Sequence, residues 1–307
     1  MAQREQQVGE VMLLGTCVLE GLFPILANLS MRVFPPVLFT ALSALLAAAA
    51  FACILLWSGG WRRIPFKGFL YACGVAVFVV LASTFIFVGA RSTSGINTTL
   101  LLQAEILFTF IVSTLFLRET WRVPQLLGAA AILCGDIFIL FNGTLVLNHG
   151  DLFILLATAL FPIGNIFAKR ALHLLSSQML LFLRYAVGGV FLLLLSLLIE
   201  GAPPSAESLW AHRSLFLVYT FLILVGSKLF WYGGLKRLPL GRAVAIISSA
   251  PAFGLFFAFL FLREIPTLYQ FVGFGFSTIG VFLIIAQSRL TRPLSDRGTS
   301  PSVYEPI

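Results

Sequence analysis

Charge is what this sequence has least of. Only 10% of its 307 residues are Asp, Glu, Lys or Arg, against about 25% in an ordinary soluble domain. Hydrophobic residues make up 59% of the chain and the mean hydropathy is +1.01, so the polar surface that a water-soluble globule needs is missing. Catalytic hardware is equally scarce. The three histidines, His149, His173 and His212, fall in predicted loops or at helix ends, and no metal-spaced pair, protease-type acid pair or His with Ser or Asp accompanies them. That excludes an intramembrane enzyme, a metal site and a bound cofactor from the reading. The four cysteines, Cys17, Cys53, Cys73 and Cys134, sit inside apolar runs without CxxC or metal-ligand spacing and read as small packing residues. The opening "MAQREQQVGE" carries acids beside its one Arg and has no small-residue cleavage site, so the first apolar run is expected to stay as a membrane span.

What the chain has in quantity is apolar runs of membrane-crossing length, about 20 residues for roughly 30 Å of hydrocarbon. They fall near 11–30, 36–57, 67–89, 96–117, 123–141, 151–168, 178–199, 214–235, 243–262 and 267–286, joined by short loops. The expectation is an all-α integral membrane protein of ten transmembrane helices. The net charge of +8 would suit a nucleic-acid partner were the basic residues not distributed by side. With both termini inside, the inner segments hold Arg4, Arg62, Arg63, Lys67, Arg118, Arg122, Lys169, Arg170, Lys236, Arg237, Arg242, Arg289, Arg292 and Arg297, and the outer loops only Arg32, Arg91, Arg213 and Arg263. This fourteen-to-four split predicts cytoplasmic termini by the positive-inside rule and removes the nucleic-acid reading. The final segment, 288–307, is polar and rich in Pro and Ser, and is expected to be a disordered cytoplasmic tail.

The chain also resembles itself. "LFLRETWRVPQLLGAAAILCG" (115–135) aligns without gaps on "LFLREIPTLYQFVGFGFSTIG" (260–280), and "FPILANLSMR" (23–32) matches "FPIGNIFAKR" (161–170). Two five-helix copies, 1–143 and 144–287, follow from this. Because five is odd, the second enters the membrane from the opposite side. Inverted repeats suit alternating access, with substrate bound near the midplane; duplication kept for packing alone is the other reading. Gly128 and Gly135, like Gly273 and Gly280, are seven apart on one helix face and predict close backbone approach between helices.

These features, above all the Leu-Arg-Glu that ends the fourth helix of each copy (117–119 and 262–264) and the Gln and spaced Gly of the fifth, resemble the EamA-type branch of the drug/metabolite transporter superfamily over about residues 9–286. The resemblance implies proton-linked or exchange transport of small metabolites, often export of amino acids, through a cavity lined by helices 1–4 and 6–9. It also implies a bacterial inner-membrane location and a monomer or homodimer. The Pro frequent in the family's fourth helix stands as Pro251 in the second copy, whereas Ile106 occupies the matching place in the first; the second-helix Arg is kept as Arg184 and replaced by Ser43.

Ionisable groups inside spans are costly and mark function by default. Glu20 and Glu105 lie near span midpoints and are the candidates for proton coupling, Glu20 also resembling the membrane acid of the small multidrug resistance branch. Lys228 and Arg184 lie about a third of the way from the cytoplasmic side. Either holds a substrate carboxylate while the other pairs with Glu20 or Glu105, or both snorkel to the interface. Asp136, beside Gly135, reads as structural. Pro24, Pro162 and Pro251 are hinge or kink candidates, and carbonyls freed there make Gln103, Asn165, Ser248 and Ser249 plausible secondary substrate contacts. Trp231 and Tyr185 read either as an apolar substrate wall or as belt residues. Mixed acids and bases at mid-depth suit a zwitterion, so the function read is a secondary exporter of amino-acid-like metabolites, using protons or a counter-substrate. The alternatives are a multidrug or cation–proton antiporter led by Glu20 and Glu105, and a nucleotide-sugar carrier.

Overall fold

Lipid offers a backbone no hydrogen bonds, so apolar runs of this length must satisfy their own amides, and every regular element among the described residues is helical. The computed structural model describes residues 2–117, 123–141, 148–201, 205–235, 237–238, 243 and 246–290. The helices are α1 (Ala2–Ser30), α2 (Pro36–Trp57), α3 (Phe66–Ala90), α4 (Gly95–Leu101), α5 (Ala104–Leu117), α6 (Val123–Phe141), α7 (His149–Leu172), α8 (Ser177–Ile199), α9 (Ala206–Ala211), α10 (Arg213–Leu235), α11 (Ala250–Leu262) and α12 (Leu268–Leu290). Among the described residues eight stretches are long and apolar enough to span a bilayer, counting α4 with the start of α5 as Gly95–Val112; two further apolar stretches, Ala250–Leu262 and, within α12, Leu268–Ile284, are shorter.

Three sequence expectations shift. The window at 11–30 belongs to a helix that begins at Ala2, its polar first turns being held by an ion pair of 2.9 Å from Glu5 to Arg237. The window at 96–117 is two helices, not one, divided at Leu102–Gln103. α12 runs through Leu290, three residues into the expected tail. The remainder of that tail, the boundary at 143/144, Arg118, Glu119, Arg122, Lys236 and Arg242 lie outside the described residues.

The chain forms two compact units, each drawing on both halves of the sequence. The first comprises Met1–Ile25, Ser94–Asn148 and Ser227–Ile307; the second comprises Leu26–Thr93 and His149–Gly226. Two of the four passages of the chain between them fall at helix irregularities. One follows Pro24 in α1, and the other ends the π-helical run Tyr219–Ser227 within α10. A shorter π-helical run, Ala76–Val80, interrupts α3.

In the first unit, α6 and α12 pack through their glycines. A methyl group on Gly128 would lie 2.7 Å from the Gly280 carbonyl oxygen, and one on Gly135 would lie 2.7 Å from that of Gly273, so no larger residue fits without parting the helices. Leu107, Phe110, Ala129, Ile132, Val281 and Ile284 close the core around this crossing. In the second unit, Phe39, Phe87 and Tyr219 form an aromatic core with centroids 5.1–5.3 Å apart.

Two helix starts are capped from afar. α2 opens on Pro35-Pro36, which provides no side-chain cap. Instead the Glu200 carboxylate, at the end of α8, accepts the amides of Val37 and Leu38, each at 2.8 Å. In the first unit Glu264 does the same for Gly95 and Ile96, at 3.1 and 2.9 Å, and Gln270 donates to Asn97 at 2.8 Å. A carboxylate there satisfies orphan amides and faces the positive end of the helix dipole. Sequence reading missed Glu200 in this role. Its only signal is an acid placed directly after a long apolar run.

The glycine crossing gives a stability prediction. Gly135→Leu should overpack α6 against α12 and destabilise the protein by about 1–3 kcal/mol or more, seen as a lowered melting temperature and a loss of monodisperse protein in size-exclusion chromatography. Gly275→Leu, where a side chain meets nothing within 4 Å, should leave both unchanged.

Candidate functional site

α1 carries Cys17, Glu20, Gly21 and Pro24 at positions i, i+3, i+4 and i+7, which places them on one stretch of helix surface. Pro24 has no amide, so the Glu20 carbonyl loses its usual i to i−4 partner. Gly21 lets this surface ride on the first turn of α11: a methyl there would lie 2.8 Å from the Ala250 carbonyl oxygen and 2.8 Å from the Gly254 nitrogen.

One turn earlier, the Cys17 thiol donates to the Ile246 carbonyl at 3.0 Å. That oxygen also accepts the Ser249 hydroxyl at 2.7 Å and the Ser249 amide at 3.1 Å. The chain turns at Ser248–Ser249 before α11 begins, with Pro251 in its first turn, a position where the missing amide costs nothing. The three donors on Ile246 hold an interruption that hydrocarbon would otherwise penalise.

The matching break precedes α5. Around Leu102–Gln103 the helix tightens into i to i−3 bonds, Gln103 to Leu100 at 3.1 Å, Glu105 to Leu102 at 3.2 Å and Ile106 to Gln103 at 3.1 Å. Extending the ungapped alignment of the copies backward pairs Gln103 with Ser248 and Ile106 with Pro251. The two breaks therefore fall within one residue of each other in this alignment, although only one has a proline. α4 and α11 cross where Thr99 meets Gly254, four residues from Gln103 and five from Ser249. Gly95 faces Leu262 further along, which makes the two helices antiparallel. Gln103 is only 6% exposed, and its Nε2 has no hydrogen-bond partner among the described residues. Glu105 is half-buried in the first turn of α5, where the helix dipole favours a carboxylate.

The charged centre is Glu20. Its Oε1 receives the Lys228 ammonium at 2.7 Å and the hydroxyl of buried Ser227. Both side chains of the ion pair are 26% exposed, so the pair is mostly buried. Lys228 follows the π-helical run, whose wider turn displaces the ladder by one residue. Of the candidates, the first unit pairs Glu20 with Lys228 and also contains Gln103, Glu105, Ser248 and Pro251. Trp231 lies in the same unit, packed with Leu13, Leu238 and Ala243.

The second unit holds the other candidates. The Arg184 guanidinium lies 4.8 Å from the centroid of the Tyr185 ring, and its Nε is buried without a hydrogen-bond partner. Tyr185 is 2% exposed, stacks on Phe51 and donates to the Leu224 carbonyl at 3.3 Å, which places it in packed core. Asn165 is exposed and Pro162 buried on α7. Asp136, in the first unit, is buried beside the α6–α12 crossing, its Oδ1 without a hydrogen-bond partner among the described residues. Ser227 and Cys17 had no place in the sequence reading of the site; the Gly-Ser preceding Lys228 was the available signal for the first.

Against known proteins, a model described as the EamA-like transporter family matches residues 7–141 and again 148–286. An uncharacterized transporter of Methanothermobacter thermautotrophicus is 26% identical over 218 residues, 67% of this chain and 61% of that one, so the chain spans less than two thirds of that relative. The uncharacterized transporter YcbK of Bacillus subtilis is 27% identical, the match covering 71% of this chain and 72% of the relative; YyaM of the same organism is 22% identical, covering 88% and 91%. A solved crystal structure superposes with a TM-score of 0.64 at 17% identity, over 92% of this chain and 99% of the other, a likeness of fold.

Removing Lys228 while keeping Glu20 leaves a carboxylate without its cation. Lys228→Met should cost about 2 kcal/mol, below the roughly 3–5 of a fully buried pair, and Glu20→Gln combined with Lys228→Met should recover most of it. Thermal melts of the four proteins in this cycle measure the coupling directly.

Proposed function

Since the chain belongs to the EamA-like transporter family, we propose that it is a secondary transporter exporting small zwitterionic metabolites, such as amino acids, by alternating access. The observation that carries this reading is the Glu20–Lys228 pair beside two helix breaks. A zwitterion presents the same two charges as the pair. Its ammonium can take Glu20 as its carboxylate takes Lys228, so binding exchanges one ion pair for two and strands no charge in a poorly hydrated site. A cationic drug would displace Lys228 without satisfying it, which disfavours the multidrug alternative. A nucleotide sugar would ask one half-exposed lysine to hold a diphosphate.

In this proposal Gln103, whose amide lacks a partner, and Ser248 supply neutral hydrogen bonds at the breaks. Trp231, Arg184, Tyr185 and Asn165 are further substrate-contact candidates, and Pro24, Pro162 and Pro251 are the hinges. Glu105 and Glu20 couple protons: a carboxylate at a broken helix can exchange its proton with whichever side is open. The protein is read as ten spans in two inverted copies, 1–143 and 144–287, with a tail at 288–307 and both termini cytoplasmic in a bacterial inner membrane. The double family match supports the two copies, and the bacterial relatives support the location.

The test is proton release or uptake by reconstituted protein on addition of amino acids, cationic drugs and nucleotide sugars. Amino acids should evoke the signal. Glu105→Gln should abolish proton movement while leaving substrate counterflow, and Lys228→Gln should weaken amino-acid binding at least tenfold, the loss of about 1.4 kcal/mol or more. Counterflow with undiminished proton movement in Glu105→Gln would make that acid structural. A response to cationic drugs alone would replace the zwitterion.

A further inference from the structure

We propose that the second unit carries a preformed site for an acidic phospholipid headgroup at the end where α2 and α7 finish and α3 and α8 begin. Five cations converge there: Arg62 and Arg63 in the α2–α3 loop, Lys67 in the first turn of α3, and Lys169 and Arg170 in the last turn of α7. All five are exposed. The residues of this unit, 26–93 and 149–226, contain only three acids, Asp151, Glu200 and Glu207. Asp151 is in the first turn of α7, so about 27 Å of helix separates it from Lys169. Glu200 is bound to the start of α2, the opposite end of the helix that leads to Arg62. Both lie well beyond a Debye length of about 8 Å. Glu207 is in α9, five residues before His212, whose ring meets Phe34 just ahead of α2, again the far end, and none of the three acids is ion-paired to the five cations among the described residues.

The ground beneath them is rigid. The loop turns at Gly59, whose φ is +62°, a conformation other residues resist. Trp61 then packs on Phe182 with centroids 5.3 Å apart. Ile64 and Tyr71 join Leu172 against a core containing Leu175, Met179 and Leu180. This anchoring brings Arg62, Arg63 and Lys67 over the end of α7. The occupant follows from what borders the cations: Trp57, Trp61 and Phe66 are 95%, 49% and 80% exposed. Aromatics at a helix end are headgroup-level residues. A cationic cluster with an aromatic fringe therefore fits a molecule whose anionic head joins directly to acyl chains.

The experiment uses full-length protein in phosphatidylcholine vesicles containing a minor fraction of brominated phosphatidylglycerol, compared with the same fraction of brominated phosphatidylcholine. Tryptophan quenching should be greater with the brominated phosphatidylglycerol. Arg62→Gln with Arg63→Gln, and separately Lys169→Gln with Arg170→Gln, should each weaken the preference by roughly 25-fold, about fivefold per cation. Arg32→Gln with Arg91→Gln should leave it unchanged. Equal quenching by the two lipids, a preference that survives loss of all four cations, or its displacement by inorganic phosphate would each overturn the proposal. Because none of these residues belongs to the transport site, failure here leaves the transport reading standing.

Discussion

A backbone amide or carbonyl that loses its partner inside hydrocarbon has nothing else to bond, and each such loss costs several kcal/mol. Three irregularities in this fold show how that condition is met. The Ile246 carbonyl, at the head of one break, gathers a thiol, a hydroxyl and an amide. The other break shortens its bonds to i−3. The π-helical run in α10 has the Leu224 carbonyl taken by Tyr185 from a different helix. At these three places a side chain or a tightened turn stands ready.

Charge follows the same discipline. Glu20 is matched by Lys228 and Ser227, and Glu200 and Glu264 are spent on helix starts. Gln103 differs. Its buried Nε2, without a hydrogen-bond partner among the described residues, is disfavoured on stability grounds.

Much of the architecture was legible because it rests on local pattern. Apolar runs of bilayer length marked the spans, and glycines seven apart marked the face by which α6 and α12 meet. The break at Leu102–Gln103 was hidden, since neither proline nor glycine stands there; Ile106 gave no hint of what Pro251 announced in the other copy. π-helical turns have no compositional mark. The partners of Glu20 were left open between Lys228 and Arg184, because depth in a span says nothing about which helix lies alongside. Tyr185 read as a possible substrate wall or belt residue, and its packing against Phe51 and the Leu224 carbonyl could not be read from the sequence.

The two distant caps carry a consequence for synthesis. Val37 and Leu38 wait for a residue 162–163 positions later, and Gly95 and Ile96 for one 168–169 later. At about 5–20 residues per second, α2 and α4 emerge from the ribosome roughly 10–30 s before their carboxylates exist. Until then their leading amides are served by water, translocon or lipid headgroup. The early helices can be threaded into the membrane but not finished, and a chain truncated before Glu200 leaves both without their final hydrogen bonds.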